Sequence, residues 1–171
     1  MLVEGESDRL ALHAAAGLRG RDLAADGVEV LAMGGVTNLR SFATRFGPRG
    51  LGVPLAGLYD APEEAIVRRS LAAADLSTQG FFRCTADLED ELTRALGADA
   101  VEDVIAAAGE ARSLQLLARM PAQRAWTREA VLRRFLTSQS GRKSRYATLF
   151  VEALGPGRIP TPIASLLSWV E

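Results

Sequence analysis

Acidic residues of this chain stand where apolar strand-like segments give way to helical ones. Glu4 follows an apolar pair at the start of the chain, and Asp60 closes the segment "LAGLYD". Because the carboxyl ends of parallel strands lie at one edge of a sheet, these two acids are expected to converge there. Converging carboxylates repel one another unless a cation lies between them, and oxygen ligands select hard ions. The sequence therefore predicts a Mg²⁺ or Mn²⁺ site built on Glu4 and Asp60.

Further acids follow the same segments. Asp8 lies one helical turn beyond Glu4, and Asp87 and Glu89 follow the fourth apolar segment. We predict Asp8 and Glu89 as additional metal ligands, with Glu64 and Asp87 as further candidates. The alternative for each acid is a structural role, because the first turn of a helix favours Asp and Glu as caps and as partners of the helix dipole.

The elements that must position these residues alternate along the first half of the chain. Apolar segments "LV", "GVEVLAMGG", "VPLAGLYD" and "GFFRCTA" are each followed by a helical pattern. This alternation predicts an α/β domain over residues 1–97, with a parallel sheet of about four strands and helices on both faces. Residues 98–171 show helical periodicity only. They are predicted to form a helical C-terminal region that packs on the core.

Composition narrows the class of protein. The 171 residues carry a formal net charge of −1, so a nucleic-acid contact would have to come from a local basic patch. The single cysteine, Cys84, and the single histidine, His13, exclude an internal disulfide and a conventional zinc set. No apolar run approaches the length of a membrane span. These features predict a cytoplasmic protein with no membrane partner, and Cys84 is predicted to be buried and inert.

The most basic segment is "RRFLTSQSGRKSR", which holds the only lysine, Lys143. Arg134, Arg142, Lys143 and Arg145 are predicted to contact phosphates, and a solvated helix face is the alternative for the arginines. The tryptophans, Trp126 and Trp169, are predicted to pack within the helical region, with base stacking as the alternative. Gly34 and Gly35 predict a tight turn, the alternative being an anion site on their backbone amides.

Four segments, taken in order, resemble the Toprim domain, the metal-binding fold of topoisomerases, bacterial primases and OLD-family (overcoming lysogenization defect) nucleases. They are "LVEGESDRLAL", "LAMGG", "LAGLYD" and "DLEDEL", and the OLD family is the nearest match. That family has a glutamate in a V-E-G-x-x-D context, an aspartate ending the third strand, a glutamate in an L-E segment and a lysine before an aromatic–alanine pair. The matching positions here are Glu4, Asp8, Asp60, Glu89 and Lys143.

The resemblance implies a divalent-metal-dependent DNA endonuclease in which Glu4, Asp60 and Lys143 are catalytic. RNA is an alternative substrate, and oligomeric state is left open. The resemblance also implies an ATPase domain or subunit outside this chain, which contains no "GxxxxGK[ST]" motif. One departure concerns the third strand, where the usual Asp-x-Asp is replaced by Asp60-Ala61-Pro62. Glu63 or Glu64 could supply the missing oxygen, or both could simply begin a helix.

Two other functions fit parts of the pattern. The first is a catalytically weak or inactive Toprim module that binds DNA or a partner ATPase, a possibility raised by the missing second aspartate. The second is a receiver-like domain in which Asp60 accepts a phosphoryl group. The endonuclease predicts manganese-dependent DNA nicking, whereas the receiver-like domain predicts labelling by a small phosphodonor.

Overall fold

The computed structural model describes residues 1–171 and contains four β-strands and nine α-helices. The strands are β1 (Leu2–Val3), β2 (Leu31–Ala32), β3 (Gly57–Asp60) and β4 (Phe81–Cys84). The helices are α1 (Glu6–Leu18), α2 (Leu39–Phe46), α3 (Glu64–Ala72), α4 (Leu88–Leu96), α5 (Ala98–Ala107), α6 (Ala111–Ala118), α7 (Arg128–Thr137), α8 (Arg142–Leu154) and α9 (Thr161–Trp169). The predicted α/β fold with a helical C-terminal region is confirmed.

All strands of the sheet are parallel, in the order β2-β1-β3-β4. The chain leaves β1 toward one edge of the sheet and returns through β3 toward the other, so the topological switch point lies between β1 and β3. At such a point the loops leaving the two strands diverge and open a crevice for ligands. Gly57 is required at this junction, because a Cβ atom there would lie 2.4 Å from the Leu2 carbonyl oxygen.

The two faces of the sheet carry apolar clusters of very different size. On one face nine buried residues join the sheet to α2 and α3, with Leu39 and Leu71 among them. On the other face 27 buried residues join the sheet to α1 and to the helical region. Helix α1 faces this larger cluster through residues spaced along one side: Ala11, Leu12, Ala15 and Ala16. The predicted coverage of both faces is thus confirmed.

The helical C-terminal region shares its core with the sheet. Helix α8 lies against α1 and α4. Its buried side of apolar residues is Tyr146, Ala147, Phe150, Val151 and Leu154. These side chains belong to the same cluster as Leu12 and Leu92 of the α/β part. Removing residues 98–171 would therefore expose much of this cluster, and the boundary at residue 97 remains a prediction.

Other predictions concern single residues and membrane spans. Cys84 is 1% exposed, and its burial raises the pKa of the thiol. The packing predicted for the tryptophans is met only in part: Trp169 meets the Phe82 ring of β4 edge-on at 6.3 Å, but Trp169 and Trp126 stay 49% and 43% exposed. None of the helices is both long and apolar enough to cross a bilayer.

Candidate metal centre

Glu4 stands directly after β1 and is held there by the glycine turn that follows β2. The amides of Gly34 and Gly35 both donate to the Glu4 carbonyl oxygen, at 2.9 and 3.2 Å. Both glycines have positive φ angles, 74° and 123°, which side-chain-bearing residues rarely adopt. The predicted tight turn is present. Because its amides already bind a backbone oxygen, they fix Glu4 instead of forming an anion site.

Asp60 ends β3, across the switch point from Glu4, and a third acid joins them. One carboxylate oxygen from each of Glu4, Asp60 and Glu63 lies within 4.8 Å of the other two. Glu63 reaches the cluster because Pro62 lies in a 3₁₀ turn over Ala61–Glu63. With three residues per turn, positions 60 and 63 come to the same side. Glu63, three residues after Asp60, thus lies in the place that the second aspartate of the usual Asp-x-Asp motif would take.

The electrostatics of this cluster favour a bound cation. Burial, reinforced by the charges of Asp8 and Glu4, raises the pKa of Asp60 to about 7. Burial and a side-chain hydrogen bond with Glu4 raise the pKa of Glu63 to about 7. Its Oε2 atom is buried without a hydrogen-bond donor. Carboxylates that are crowded, partly desolvated and short of donors are stabilised by a positive ion among them.

The donor set also fits a hard divalent ion in its chemistry. All three ligand atoms of the cluster are carboxylate oxygens, the type that Mg²⁺ and Mn²⁺ prefer. Oxygens on opposite sides of a Mg²⁺ ion are about 4.2 Å apart, twice the usual metal–oxygen distance. At most one of the three pairs can lie on opposite sides, and neighbouring oxygens are about 3 Å apart, so the present separations, all within 4.8 Å, would have to shorten for the three acids to hold a single ion.

Asp8 lies beside this cluster at the start of α1. Its Oδ2 atom accepts a hydrogen bond from the Gly5 amide at 2.8 Å, so the residue also caps the helix. Burial raises the pKa of Asp8 to about 6, with contributions from the charges of Glu89 and Glu4, while the Gly5 amide and Lys143 act in the opposite direction. Asp8 thus links the three-acid cluster to Glu89 and Lys143.

Glu89 and Lys143 form an ion pair between α4 and α8. The Lys143 Nζ atom lies 3.3 Å from Glu89 Oε2. The Glu89 side chain is only 12% exposed, and its other oxygen is buried without a hydrogen-bond partner. The structure therefore brings both residues to the edge where Asp8 lies, although they are 54 positions apart in the chain.

The two further candidates already have partners. Glu64 pairs with Arg68 at 2.8 Å and with Arg83 at 3.2 Å, and hydrogen bonding to Arg68 lowers its pKa despite partial desolvation. Asp87 caps α4 through a 2.8 Å hydrogen bond from the Asp90 amide, and its second oxygen pairs with an arginine of α7. Neither belongs to the three-acid cluster. Of the two glutamates that follow Pro62, Glu63 and not Glu64 faces the centre.

Arg142 departs from its predicted role in phosphate binding. Its side chain is 8% exposed and forms an ion pair with Glu110. Its guanidinium group also donates to the Phe135 carbonyl oxygen at 3.0 Å and lies 3.9 Å from the centre of the Phe135 ring. A guanidinium group with these partners cannot also reach a phosphate at the surface. Arg142 anchors the start of α8, and we correct its assignment accordingly.

The remaining arginines of the basic segment differ in how free they are. Arg145 pairs with Glu110 at 2.9 Å and donates to the Ala108 carbonyl oxygen at 3.0 Å, although half of its side chain stays exposed. Arg134 is exposed and has no acidic partner. Arg133, which the sequence interpretation did not select individually, pairs with Asp87 while 57% exposed. The local sequence around Arg133, three residues before the buried Leu136, does not predict its ion pair with Asp87.

Comparison with known proteins yields one family model and several solved structures. Residues 1–61 match the family model described as "Overcoming lysogenization defect protein-like, TOPRIM domain". The N-terminal part of this chain is thus similar to the OLD-like Toprim domain. The resemblance inferred from the sequence is thereby confirmed for residues 1–61. Toprim domains generally bind divalent metals, and the acidic cluster described above supplies suitable ligands.

Solved structures extend the likeness over the helical region. The C-terminal region of the Burkholderia pseudomallei OLD protein aligns with a TM-score of 0.70 and 22% identity, covering 99% of this chain and 94% of that one. The C-terminal region of the Xanthomonas campestris pv. campestris OLD protein aligns with a TM-score of 0.72 and 26% identity, covering 99% and 91%. No curated protein sequence matches the chain. The OLD C-terminal fold thus includes both the Toprim sheet and the helices that follow it.

Proposed function

We propose that this protein is a divalent-metal-dependent endonuclease that hydrolyses DNA phosphodiester bonds. The observation that carries the proposal is the convergence of Glu4, Asp60 and Glu63 at the switch point of the sheet. The OLD-like Toprim match and the Lys143 ammonium group beside Asp8 and Glu89 support it. A structural cap explains a single acid, but it does not explain three carboxylates whose oxygens lie within 4.8 Å of one another.

The acids would bind the ion in two ways, directly or through water. Glu4, Asp60 and Glu63 would bind it directly, because their oxygens are already close together. Asp8 and Glu89 would bind through water or hold a second ion, since the charges of Glu4 and Glu89 both act on Asp8 and Glu89 keeps one buried oxygen without a partner. A bound Mg²⁺ or Mn²⁺ supplies Lewis-acid polarisation of a phosphoryl oxygen and activation of the attacking water.

Lys143 would stabilise negative charge on the phosphate that is being cleaved. Glu89 holds the ammonium group at the carboxylate edge of the sheet, at 3.3 Å from its own oxygen. Helix α8 is fixed on α1 by the large apolar cluster, so the lysine stem starts from a rigid element. A cation that is positioned before the reaction needs little reorganisation as charge develops on the phosphoryl oxygens.

The proposal also covers the substrate, a partner protein and the cellular location. DNA is the proposed substrate and RNA the alternative, with Arg134, Arg145 and Lys143 as the exposed or half-exposed basic contacts. An ATPase domain or subunit is proposed to act with this chain, and the fact that the solved relatives are C-terminal regions of OLD proteins supports it. A cytoplasmic location is proposed on the strength of the one cysteine, whose thiol is buried and unpaired.

The test is nicking of supercoiled plasmid by the purified protein with Mn²⁺ or Mg²⁺. We expect wild type to relax the plasmid and Glu4→Gln to lower the rate at least a hundredfold, because that variant removes a ligand charge while keeping its shape. Glu152→Gln, an exposed position on α8, serves as the matched control and should match wild type.

Each outcome separates the proposed function from its alternatives. Equal nicking by wild type and Glu4→Gln would show that the cleavage does not come from this centre. Calorimetric binding of Mn²⁺ without any nicking would favour a non-catalytic Toprim module. Labelling of Asp60 by a small phosphodonor would favour the receiver-like domain.

A further inference from the structure

One face of α7 forms a surface that the metal centre does not use. Ala130, Arg133, Arg134 and Thr137 fall at the spacing of neighbours along one side of a helix, and Trp126 precedes them by one turn. Together these five residues line a shallow cavity of about 440 Å³. The surface combines one aromatic ring with two guanidinium groups, and we call it the α7 groove.

The α7 groove is held open by the way α7 is anchored. The opposite side of the helix is buried through Leu132, Phe135 and Leu136. At its start, the Thr127 hydroxyl oxygen accepts a 3.2 Å hydrogen bond from the Ala130 amide and caps the helix. Trp126 stands just before this cap and is 43% exposed. Its ring therefore sits on a fixed support with its surface facing solvent.

The α7 groove adjoins a second cavity that Glu89 lines. This second cavity, of about 520 Å³, lies between α4 and α7. The two cavities share Ala130 and Arg133. Arg133 also pairs with Asp87, which caps the helix that carries Glu89. A polymer lying along α7 would thus lead from Trp126 to the cavity that Glu89 lines.

The chemistry of the α7 groove suits a nucleic-acid strand whose bases are not paired. Arg134 is free of acidic partners, and Arg133 is 57% exposed beside its single partner Asp87. Such guanidinium groups bind phosphates, and an exposed indole offers a face on which any base can stack. Bases inside a duplex are already stacked on their neighbours, so only an unpaired base can reach Trp126.

The length of the surface limits the size of the ligand. Helix α7 has ten residues and is about 15 Å long at 1.5 Å per residue. At about 3.4 Å per nucleotide along a strand, this corresponds to roughly four nucleotides. A short single-stranded segment therefore matches the distance between Trp126 and the end of the helix.

We propose that the α7 groove binds single-stranded DNA next to the bond that is cleaved, with a base stacked on Trp126 and phosphates on Arg133 and Arg134. The substrate class is then DNA with unpaired nucleotides beside the scissile phosphate, such as a frayed end, a flap or a gap. This inference rests on the proposed function for the identity of the polymer. The α7 groove itself is a binding surface that can be tested without cleavage.

The test measures binding in EDTA, so that cleavage cannot occur. With Trp169→Phe as the background, Trp126 is the only tryptophan and its fluorescence reports on its own surface. We expect oligo(dT) of 12 nucleotides to quench this fluorescence, with an affinity that falls as salt rises. In the native background, Trp126→Ala should weaken oligo(dT) binding roughly five- to a hundredfold, and Trp126→Phe should retain most of it because phenylalanine also stacks.

Two controls make the result specific. A blunt duplex should bind Trp126→Ala and wild type about equally, and Leu116→Ala, at another exposed apolar position, should not alter oligo(dT) binding. Unquenched fluorescence, unchanged oligo(dT) affinity in Trp126→Ala, or an equal loss for the blunt duplex would overturn the inference. Quenching without plasmid nicking would keep the α7 groove and remove the nuclease, whereas nicking without quenching would do the reverse.

Discussion

The strand-end acids and the helix-borne basic residues of this protein behave differently when the chain folds. Glu4 and Asp60 belong to separate strands, yet their carboxylates meet within 4.8 Å. Arg142 and Lys143 are adjacent in sequence, yet one is buried against Glu110 and the other pairs with Glu89 at the carboxylate edge. Two residues far apart in the sequence thus come together in the fold, whereas two adjacent residues enter different surroundings.

The difference has a geometric cause. Parallel strands all end at the same edge of a sheet, so a residue that ends one strand is close to a residue that ends its neighbour, whatever the intervening chain. On a helix, neighbouring residues point about 100° apart, so adjacent side chains face different surroundings. The location of strand-end acids can therefore be predicted for the whole group, whereas the surroundings of each basic residue on a helix have to be determined separately. The variants below test this contrast, from the largest expected effect to the smallest.

Replacing Arg142 should damage the fold. Arg142→Leu leaves the Glu110 carboxylate, 18% exposed, without its buried partner. We expect the free energy of unfolding to fall by about 3 kcal/mol, at the lower end for broken buried pairs because Arg145 still faces Glu110. Urea denaturation measures the change. Arg134→Leu is the matched control and should stay within about 0.5 kcal/mol of wild type; similar losses in both variants would contradict the separation of the basic segment.

Replacing Lys143 should damage the reaction and not the fold. Lys143→Met keeps an unbranched side chain but removes the charge beside Glu89. We expect plasmid nicking to slow about a hundredfold, equivalent to about 2.7 kcal/mol of barrier, because the developing phosphoryl charge loses a positioned cation. Calorimetry should show that Mn²⁺ still binds at least as tightly as in wild type. A parallel loss of metal affinity would instead make Lys143 a support for the acids.

Glu63 and Glu64 offer the sharpest pair, because they are adjacent acids with opposite surroundings. Glu63 lies in the three-acid cluster, whereas Glu64 pairs with Arg68 and Arg83. Glu63→Gln should weaken Mn²⁺ binding at least tenfold by calorimetry, a factor worth about 1.4 kcal/mol. Glu64→Gln should change it less than twofold. Equal losses in the two variants would show that general negative charge, and not the cluster, attracts the ion.

The smallest effect is the pH dependence of the metal-free protein. The pKa of Asp60 is raised to about 7, above the usual value near 4 of an unfolded chain, so folded Asp60 holds its proton at pH values where the unfolded residue has lost it. Its contribution to stability therefore declines as pH rises from about 4 to about 7. In EDTA, Asp60→Asn should match wild type near pH 4 and melt roughly 3 °C higher at pH 7.5, the screened equivalent of about 1 kcal/mol.

The control for this measurement is Asp103→Asn, at an exposed position on α5, which should show no such gain at pH 7.5. Added Mn²⁺ should reverse the order at neutral pH by stabilising wild type but not Asp60→Asn, because the ion binds the deprotonated carboxylate. If Asp60→Asn is no more stable than wild type at any pH without metal, the acids of the cluster do not repel one another as described.

Much of the fold was determined by local sequence signals. The alternation of short apolar segments with helical ones predicted the parallel sheet, its covered faces and the helical region, because burial on two faces leaves a continuous apolar strand. The V-E-G-x-x-D segment and the "LYD" segment placed Glu4 and Asp60 at strand ends. The topology of the sheet then required the two residues to be neighbours, so this half of the centre could be predicted without coordinates.

Only the tertiary structure decided the rest. The choice of Glu63 over Glu64 depends on a single 3₁₀ turn, and the burial of Arg142 depends on where Glu110 lies, 32 residues earlier in the chain. The continuity of the α7 groove with the cavity that Glu89 lines likewise follows from the position of α7 opposite α4. Local patterns fix which way a chain segment runs and what it can bury. Which side chain meets which partner is settled only when several elements pack together, because helix rotation and docking depend on contacts across the whole core.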